Sequence, residues 1–304
     1  MLCKKPFHSF GCGQCLPCRV KRRRIWTHRI LLEALCYEEN SFLTLTYKNQ
    51  PEGGTLVPRD FQLWLKRFRE ALSEDDRPTI RFFGVGEYGD KSGRPHYHAA
   101  LFGAGRDVLP LVQKTWSKDG ESLGHVMLGS LTLASAQYIA GYVTKKMTKP
   151  DDSRLNGRHP EFSRMSQGIG RGMVPQIAKS LKGVNYVCRS ISDVPTVLSH
   201  GPRTLPLGRY LRAKLVPHLG LPDKNSHSLL ERHRYDTLRN ADAALDAYQK
   251  MQDLLSRHVD YPPGTPRWKV LRDIHSQIKA EESQRILQIE KKHLDNLINS
   301  TKEF

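Results

Sequence analysis

Hydrophobic spacing along this chain switches between two periods, and the switching outlines a domain. Residues 42–47 (Phe-Leu-Thr-Leu-Thr-Tyr) are β-branched, aromatic or aliphatic, which predicts a strand, and Pro51 and Gly53-Gly54 break it. Pro58 stands where a first helical turn would start, and Phe61, Trp64, Leu65, Phe68 and Leu72 follow at the spacing of an amphipathic helix. Residues 80–85 predict a second strand and residues 96–102 a third, with Gly86, Gly89, Asp90, Gly93 and Pro95 supplying hairpin chemistry between them. Val108, Leu109, Leu111, Val112 and Trp116 suit a short helix, residues 125–128 a fourth strand, and residues 134–147 another helix. The order β-α-β-β-α-β-α predicts a central antiparallel sheet with helices on one side, an α+β fold.

The flanks read differently. Residues 1–40 form a basic, cysteine-containing head that runs into a first helix with Ile25, Trp26, Ile30, Leu31 and Leu35 on its apolar stripe. The sheet domain then occupies residues 41–148. Residues 149–226 are rich in Gly, Pro, Arg and Ser with little periodicity, which predicts an irregular extension packed on the core. Residues 227–304 are helical in pattern. Leu238, Ala241, Leu245, Tyr248, Met251 and Leu255 make one stripe, and Leu271, Ile274, Ile278, Ile286, Ile289, Leu294 and Leu297 a looser second. Pro-Pro-Gly-Thr-Pro at 262–266 turns the chain between them, so a C-terminal helical hairpin is expected.

Charge narrows the partners. Lys plus Arg number 48 against 31 for Asp plus Glu, a formal +17, which argues for a polyanion. No apolar run approaches membrane-spanning length and the first residues lack a signal-peptide stretch, so nucleic acid in a reducing cytoplasm is the expected setting. There the six cysteines suit ligands or core positions better than disulfides, Cys36 and Cys188 reading as core. No acidic residue precedes Glu33, whereas Lys4, Lys5, Arg19, Lys21, Arg22, Arg23, Arg24 and Arg29 do, a block suited to phosphate contact. Within it, Cys12-x-x-Cys15-x-x-Cys18 with Cys3 or His8 as a fourth member has the character of a structural zinc knob. Three reduced cysteines in a solvated tail are the plain alternative.

The candidate chemistry lies in Arg94-Pro95-His96-Tyr97-His98-Ala99-Ala100-Leu101-Phe102-Gly103. On a strand, His96 and His98 project from one face while Tyr97, Ala99 and Leu101 point the other way. Two imidazoles on one face make half of a divalent-metal site, and Glu87 on the preceding strand end is placed to complete it across the hairpin. Such a mixed site suits Mg²⁺ or Mn²⁺ acting on a phosphodiester. Forty residues on, Tyr138, Tyr142 and Lys146 fall at i, i+4 and i+8 of a helix, stacked on one face. A phenol with a pKa near ~10 needs help to attack at neutral pH, which Lys146, or Lys145 in its place, would lend. Aromatic pairs at helical spacing ordinarily pack a core; the upstream metal pair points instead to a nuclease. Tyr97 is excluded as nucleophile by strand alternation, and Ala100 stands where a histidine-triad hydrolase needs a third histidine.

Residues 42–47, the His-Tyr-His segment at 86–103, and Tyr138-x-x-x-Tyr142-x-x-x-Lys146 resemble, in order, the three motifs of HUH rolling-circle replication initiators. The two-tyrosine helix is similar to that of gene-A-type initiators of small single-stranded-DNA bacteriophages. The cysteine head, Gly-Arg-His-Pro-Glu-Phe at 157–162 and Leu-Pro-Leu-Gly-Arg-Tyr-Leu at 205–211 resemble the gokushovirus initiators. The resemblance spans residues 1–215 and leaves the helical tail out. It implies a site- and strand-specific endonuclease acting on the origin of the double-stranded replicative form. One tyrosine joins the 5′ phosphate and frees a 3′ hydroxyl primer, and the displaced single strand is later rejoined into a circle. It further implies Tyr138, Tyr142 and Lys146 as the catalytic group, His96, His98 and Glu87 as metal ligands, and Arg22, Arg23, Arg24 and Arg94 as DNA contacts. Host helicase and polymerase would be partners, in the bacterial cytoplasm. A plasmid relaxase or single-strand transposase shares this chemistry, and a zinc-containing DNA-binding regulator without catalysis is the rival of another class.

Overall fold

Proline and glycine set the limits of the central strand. Pro95 opens it, and the turn before it closes through the Gly89 N–H on the Arg94 carbonyl (3.0 Å) and the Gly93 N–H on the Gly89 carbonyl (2.8 Å). Gly93 takes φ +63°, a conformation disfavoured for any residue with a Cβ. The computed structural model describes residues 3–5, 11–74, 80–90, 92–142, 152–183, 194–200, 203–221 and 267–300. They fall into two compact units, one of residues 22–177 and 195–214, the other of residues 1–21, 178–194 and 215–304.

The first unit is built on a five-stranded antiparallel sheet. Its chain carries β1 (Asn40–Thr46), β2 (Arg81–Tyr88), β3 (Pro95–Phe102), the short β4 (Ser117–Lys118) and β5 (Glu121–Ser122), β6 (Val126–Ser130) and β7 (Phe162–Met165). The strand order is β6-β1-β3-β2-β7, while β4 and β5 pair only with each other. Four helices accompany the sheet along the chain: α1 (Leu16–Ala34), α2 (Pro58–Glu74), α3 (Leu109–Thr115) and α4 (Leu133–Tyr142). Helix α2 begins on Pro58 as expected, with Asp60 in its first turn where the helix dipole favours a carboxylate.

Strand parity divides the core in two. Leu43, Leu45, Tyr97, Ala99 and Leu101 face Phe61, Trp64 and Phe68 of α2 and Val112 of α3. Each fully buried large side chain there contributes roughly 1.5–3 kcal/mol. Phe83, Val85, Ala100 and Phe102 face Ile30 of α1 and Ala136, Ile139 and Ala140 of α4. Helices therefore cover both faces of the sheet, which corrects the expectation of helices on one side. The cause is a second apolar stripe that strand β3 presents through Ala100 and Phe102 and that must also leave water. Gly86 permits close packing from the first face, since a Cβ there would come within 2.5 Å of the Phe162 ring.

Three other expectations change. Residues 149–226 include ordered elements: β7 on the sheet edge, α5 (Val174–Gly183), the hairpin β8 (Val197–His200) with β9 (Arg203–Pro206), and α6 (Gly208–Leu219). Leu35 is 63% exposed because α1 ends one residue before it. Cys36 is exposed in the turn after α1 rather than in the core. Of the expected helical hairpin, the second arm is α7 (Arg267–Ser300), and the first arm and the Pro-Pro-Gly-Thr-Pro turn lie outside the described residues, as does Cys188. Among the described residues no helix is long and apolar enough to cross a membrane.

Candidate active site

Register places the first three side chains. In the β2–β3 ladder Glu87 lies directly opposite His96, and Val85 opposite His98, so Glu87 is diagonal to His98 on the same face. The ligand atoms of Glu87, His96 and His98 all lie within 4.8 Å of one another. Glu87 is buried, and its Oε1 stands 2.8 Å from His96 Nε2 and 3.1 Å from His98 Nε2.

The far nitrogens of both rings are held in place. His96 Nδ1 donates to the Arg94 carbonyl (3.1 Å), which leaves Nε2 with its lone pair toward Glu87 when the ring is neutral. His98 Nδ1 lies 2.9 Å from Thr44 Oγ1, on β1 directly across the ladder, and Phe42 stacks on the His98 ring at 5.4 Å. Two neighbouring ligands of an octahedral ion bound at about 2.1 Å stand about 3.0 Å apart, which the two nitrogen–oxygen separations match. Two imidazoles and a carboxylate with fixed outer nitrogens thus fit a divalent cation. Thr44 and Phe42 were missed as site residues from the sequence. Only the β1–β3 register, which a single strand pattern does not contain, brings them to His98.

Helix α4 lies on this same face, packed against β2 and β3. Thr132 and Ser135 cap it reciprocally: the Ser135 N–H donates to Thr132 Oγ1 (3.2 Å) and the Thr132 N–H to Ser135 Oγ (2.7 Å). Its buried face is small, with Ala136 and Ala140 flanking Ile139, so the helix sits close to the sheet. Tyr138 and Tyr142 meet ring to ring at 5.0 Å. The Tyr138 hydroxyl donates to Glu87 Oε1 at 3.3 Å, and the Tyr142 ring stacks on His98 at 6.1 Å. Tyr138 remains 45% exposed, so its ring is open to a substrate. Burial and the Glu87 charge push the Tyr138 phenol up to about 12, and the same two causes raise Tyr142 further. Both phenols are therefore protonated at neutral pH beside an anionic Glu87, and a cation in the triad acts in the opposite sense. Lys146 and Lys145 lie outside the described residues.

The expected DNA-contact arginines fall in different surroundings. Arg23 is half-buried against α4, its Nε donating to the Gln137 carbonyl at 2.9 Å. Burial holds its guanidinium below the usual range, and the neighbouring Tyr142 works against that shift. Arg24 donates to the Thr204 carbonyl (2.7 Å), and Arg94 to the carbonyls of Tyr47 (2.9 Å) and Lys48 (3.3 Å). Arg22 and Arg24 are exposed on α1. Tyr97 points away from the triad, fully buried, with its hydroxyl 2.8 Å from that of Tyr47 and donating to the Val57 carbonyl.

In the other unit, Cys3, Cys12, Cys15 and Cys18 gather, their sulfurs all within 4.8 Å of one another. Backbone N–H groups of Cys15 and Gln14 hold the Cys12 thiol well below its ordinary value, at about 6. His8, the alternative fourth member, lies outside the described residues.

Residues 40–151 match the replication-associated protein ORF2 family. The chain is 34% identical to the replication-associated protein VP4 of Bdellovibrio phage phiMH2K over 194 residues, 59% of this chain and 62% of that protein. It is 31% identical to the replication-associated protein ORF2 of Spiroplasma virus 4 over 184 residues, 53% of this chain and 56% of the relative. With the replication-associated protein ORF4 of Chlamydia phage 1 it shares 30% identity over 177 residues, 52% and 44% of the two chains. The chain thus spans 44–62% of the length of these relatives. No solved structure matches it. The resemblance to replication initiators of small phages is borne out, and the matched segment carries the triad and both tyrosines.

Proposed function

We propose that this chain, whose residues 40–151 match the replication-associated protein ORF2 family, is a phage replication initiator that nicks and rejoins origin DNA through a tyrosine. The observation that carries the reading is the seating of two phenols on a histidine–carboxylate triad, the Tyr138 hydroxyl 3.3 Å from Glu87 Oε1. A core-packing role for the tyrosines accounts for neither the exposure of Tyr138 nor the convergence of both imidazoles on one carboxylate oxygen.

Glu87, His96 and His98 would hold Mg²⁺ or Mn²⁺, and the bound ion would polarise a phosphate oxygen as a Lewis acid. The chain's own groups do the rest. Glu87 orients the Tyr138 hydroxyl, His98 and Tyr138 wedge the Tyr142 ring, and Arg23 brings positive charge to the tyrosine helix where a scissile phosphate would lie. Lys146, one turn past Tyr142 in sequence, would add a second. In the cleavage step a phenol oxygen bonds to phosphorus, the bond to the 3′ oxygen breaks, and the phenol proton passes to that leaving oxygen by way of solvent. The 5′-phosphotyrosine preserves the energy of the broken ester, so a later attack by a 3′ hydroxyl regenerates the phosphodiester without a nucleotide cofactor. Two tyrosines let the second cut occur while the first still holds DNA. Origin DNA, as replicative form and as single strand, is then the partner, with the host replication machinery acting on the freed 3′ end in the bacterial cytoplasm.

The test is incubation of the purified chain with a supercoiled plasmid bearing its phage's origin, in Mn²⁺. Nicked circles carrying protein on a 5′ end are expected. The H96A/H98A variant should lose nicking by a factor of about 10² or more, in keeping with removal of Lewis-acid stabilisation. Undiminished nicking by that variant would overturn the metal assignment.

A further inference from the structure

We propose that Cys3, Cys12, Cys15 and Cys18 bind one structural zinc ion at the start of α1, a site independent of the nuclease triad. The geometry is that of a tetrathiolate. Around an ion with Zn–S bonds of about 2.3 Å, tetrahedral sulfurs stand about 3.8 Å apart. Cys15 Sγ and Cys3 Sγ are 3.8 Å apart, and the other sulfurs fall within the same 4.8 Å sphere. No two of these cysteines are joined by a disulfide, whose sulfurs would lie about 2.05 Å apart.

Outer contacts complete the pattern. The Cys12 N–H points to Cys3 Sγ at 3.2 Å and the Cys15 N–H to Cys12 Sγ at 3.3 Å, donors that favour the thiolate a metal requires. Helix α1 has no acidic residue in its first turn, and Cys15 and Cys18 bracket its start at Leu16. A zinc with four thiolates carries net charge −2 there, which complements both the helix dipole and the surrounding Lys4, Lys5, Arg19 and Lys21.

The local need for a metal follows from composition. In residues 1–21 the apolar side chains are few, and among those described in 3–5 and 11–21 only Cys3 and Pro17 are buried, too little for a core. Short segments of this kind are held by metal or disulfide, and the binding free energy of zinc becomes folding free energy. Ligand softness separates the two sites. Four thiolates select zinc or iron, whereas the Glu87–His96–His98 set suits Mg²⁺ or Mn²⁺.

The full-length chain, produced in zinc-supplemented defined medium and purified under reducing conditions, should retain one zinc per chain after dialysis against EDTA. The H96A/H98A variant should keep that zinc, and C12S/C15S should lose it. Cobalt added to the acid-stripped, refolded wild-type chain should give the visible d–d bands and near-ultraviolet sulfur charge transfer of tetrahedral thiolate ligation. That spectrum decides the matter should C12S/C15S fail to fold. Absence of both zinc and a cobalt–thiolate spectrum would overturn the proposal. So would iron in its place, or zinc that disappears with the two histidines.

Discussion

His98 does three things at once: its Nε2 faces Glu87, its Nδ1 meets Thr44, and its ring lies between Phe42 and Tyr142. A ligand fixed this way enters metal binding with little orientational freedom left to lose. Replacing Thr44 by Val keeps the shape and removes the oxygen. Thr44→Val should therefore weaken Mn²⁺ binding about 10–100-fold, with nicking restored at saturating metal. Calorimetric titration of Mn²⁺ alongside nicking assays across metal concentration would check this, and an unchanged metal requirement would remove Thr44 from the account. The triad itself was legible in the sequence, because Pro95 and the hairpin glycines set the strand frame in which His96 and His98 share a face. Thr44 was not, since what makes it a site residue is its position across a ladder from His98.

At the scale of elements, long amphipathic segments read correctly and short edge segments did not. Helix α2 and strand β3 announce themselves through Pro58 and Pro95 and through regular apolar spacing. Strand β7 pairs with only one neighbour, and its Phe-Ser-Arg-Met sequence has two exposed central residues, so no apolar alternation marks it. The hairpin β8–β9 is similarly silent, yet it is joined to α1 by a specific contact. Fully buried His28 donates from Nδ1 to the Pro206 carbonyl (2.9 Å), and its Nε2 accepts from His200 Nε2 (2.8 Å). Burial holds the His28 ring down to about 4, against 6.5 in the unfolded chain, so it is neutral when folded. The unfolded state thus binds more protons between those values, and stability falls as pH falls through that window. The loss attributable to His28 is on the order of 3 kcal/mol once pH is below about 4. Denaturant unfolding of wild type and His28→Gln from pH 7 to pH 4 should show a shallower pH dependence in the variant. Parallel curves would contradict the assignment of that slope to His28.

For the whole molecule, charge and homology agree on the substrate. A formal +17 with no acidic residue before Glu33 suits a protein that must hold DNA phosphates, and the relatives are phage replication-associated proteins. The sheet supplies a rigid floor: both its faces are covered, and the side that carries His96 and His98 is also the side on which α4 packs. Nicking and rejoining would thus be carried out from one strand, its hairpin partner and one short helix, with the remaining chain free to choose DNA and partners. The central claim is covalent attachment through that helix. The most direct measurement is mass spectrometry of the peptide left on the 5′ end of nicked origin DNA after proteolysis. The expected result is a phosphotyrosine at Tyr138 or Tyr142, with the Y138F/Y142F double variant leaving no adduct. An adduct on any other residue, or nicked DNA with a free 5′ phosphate, would contradict the account.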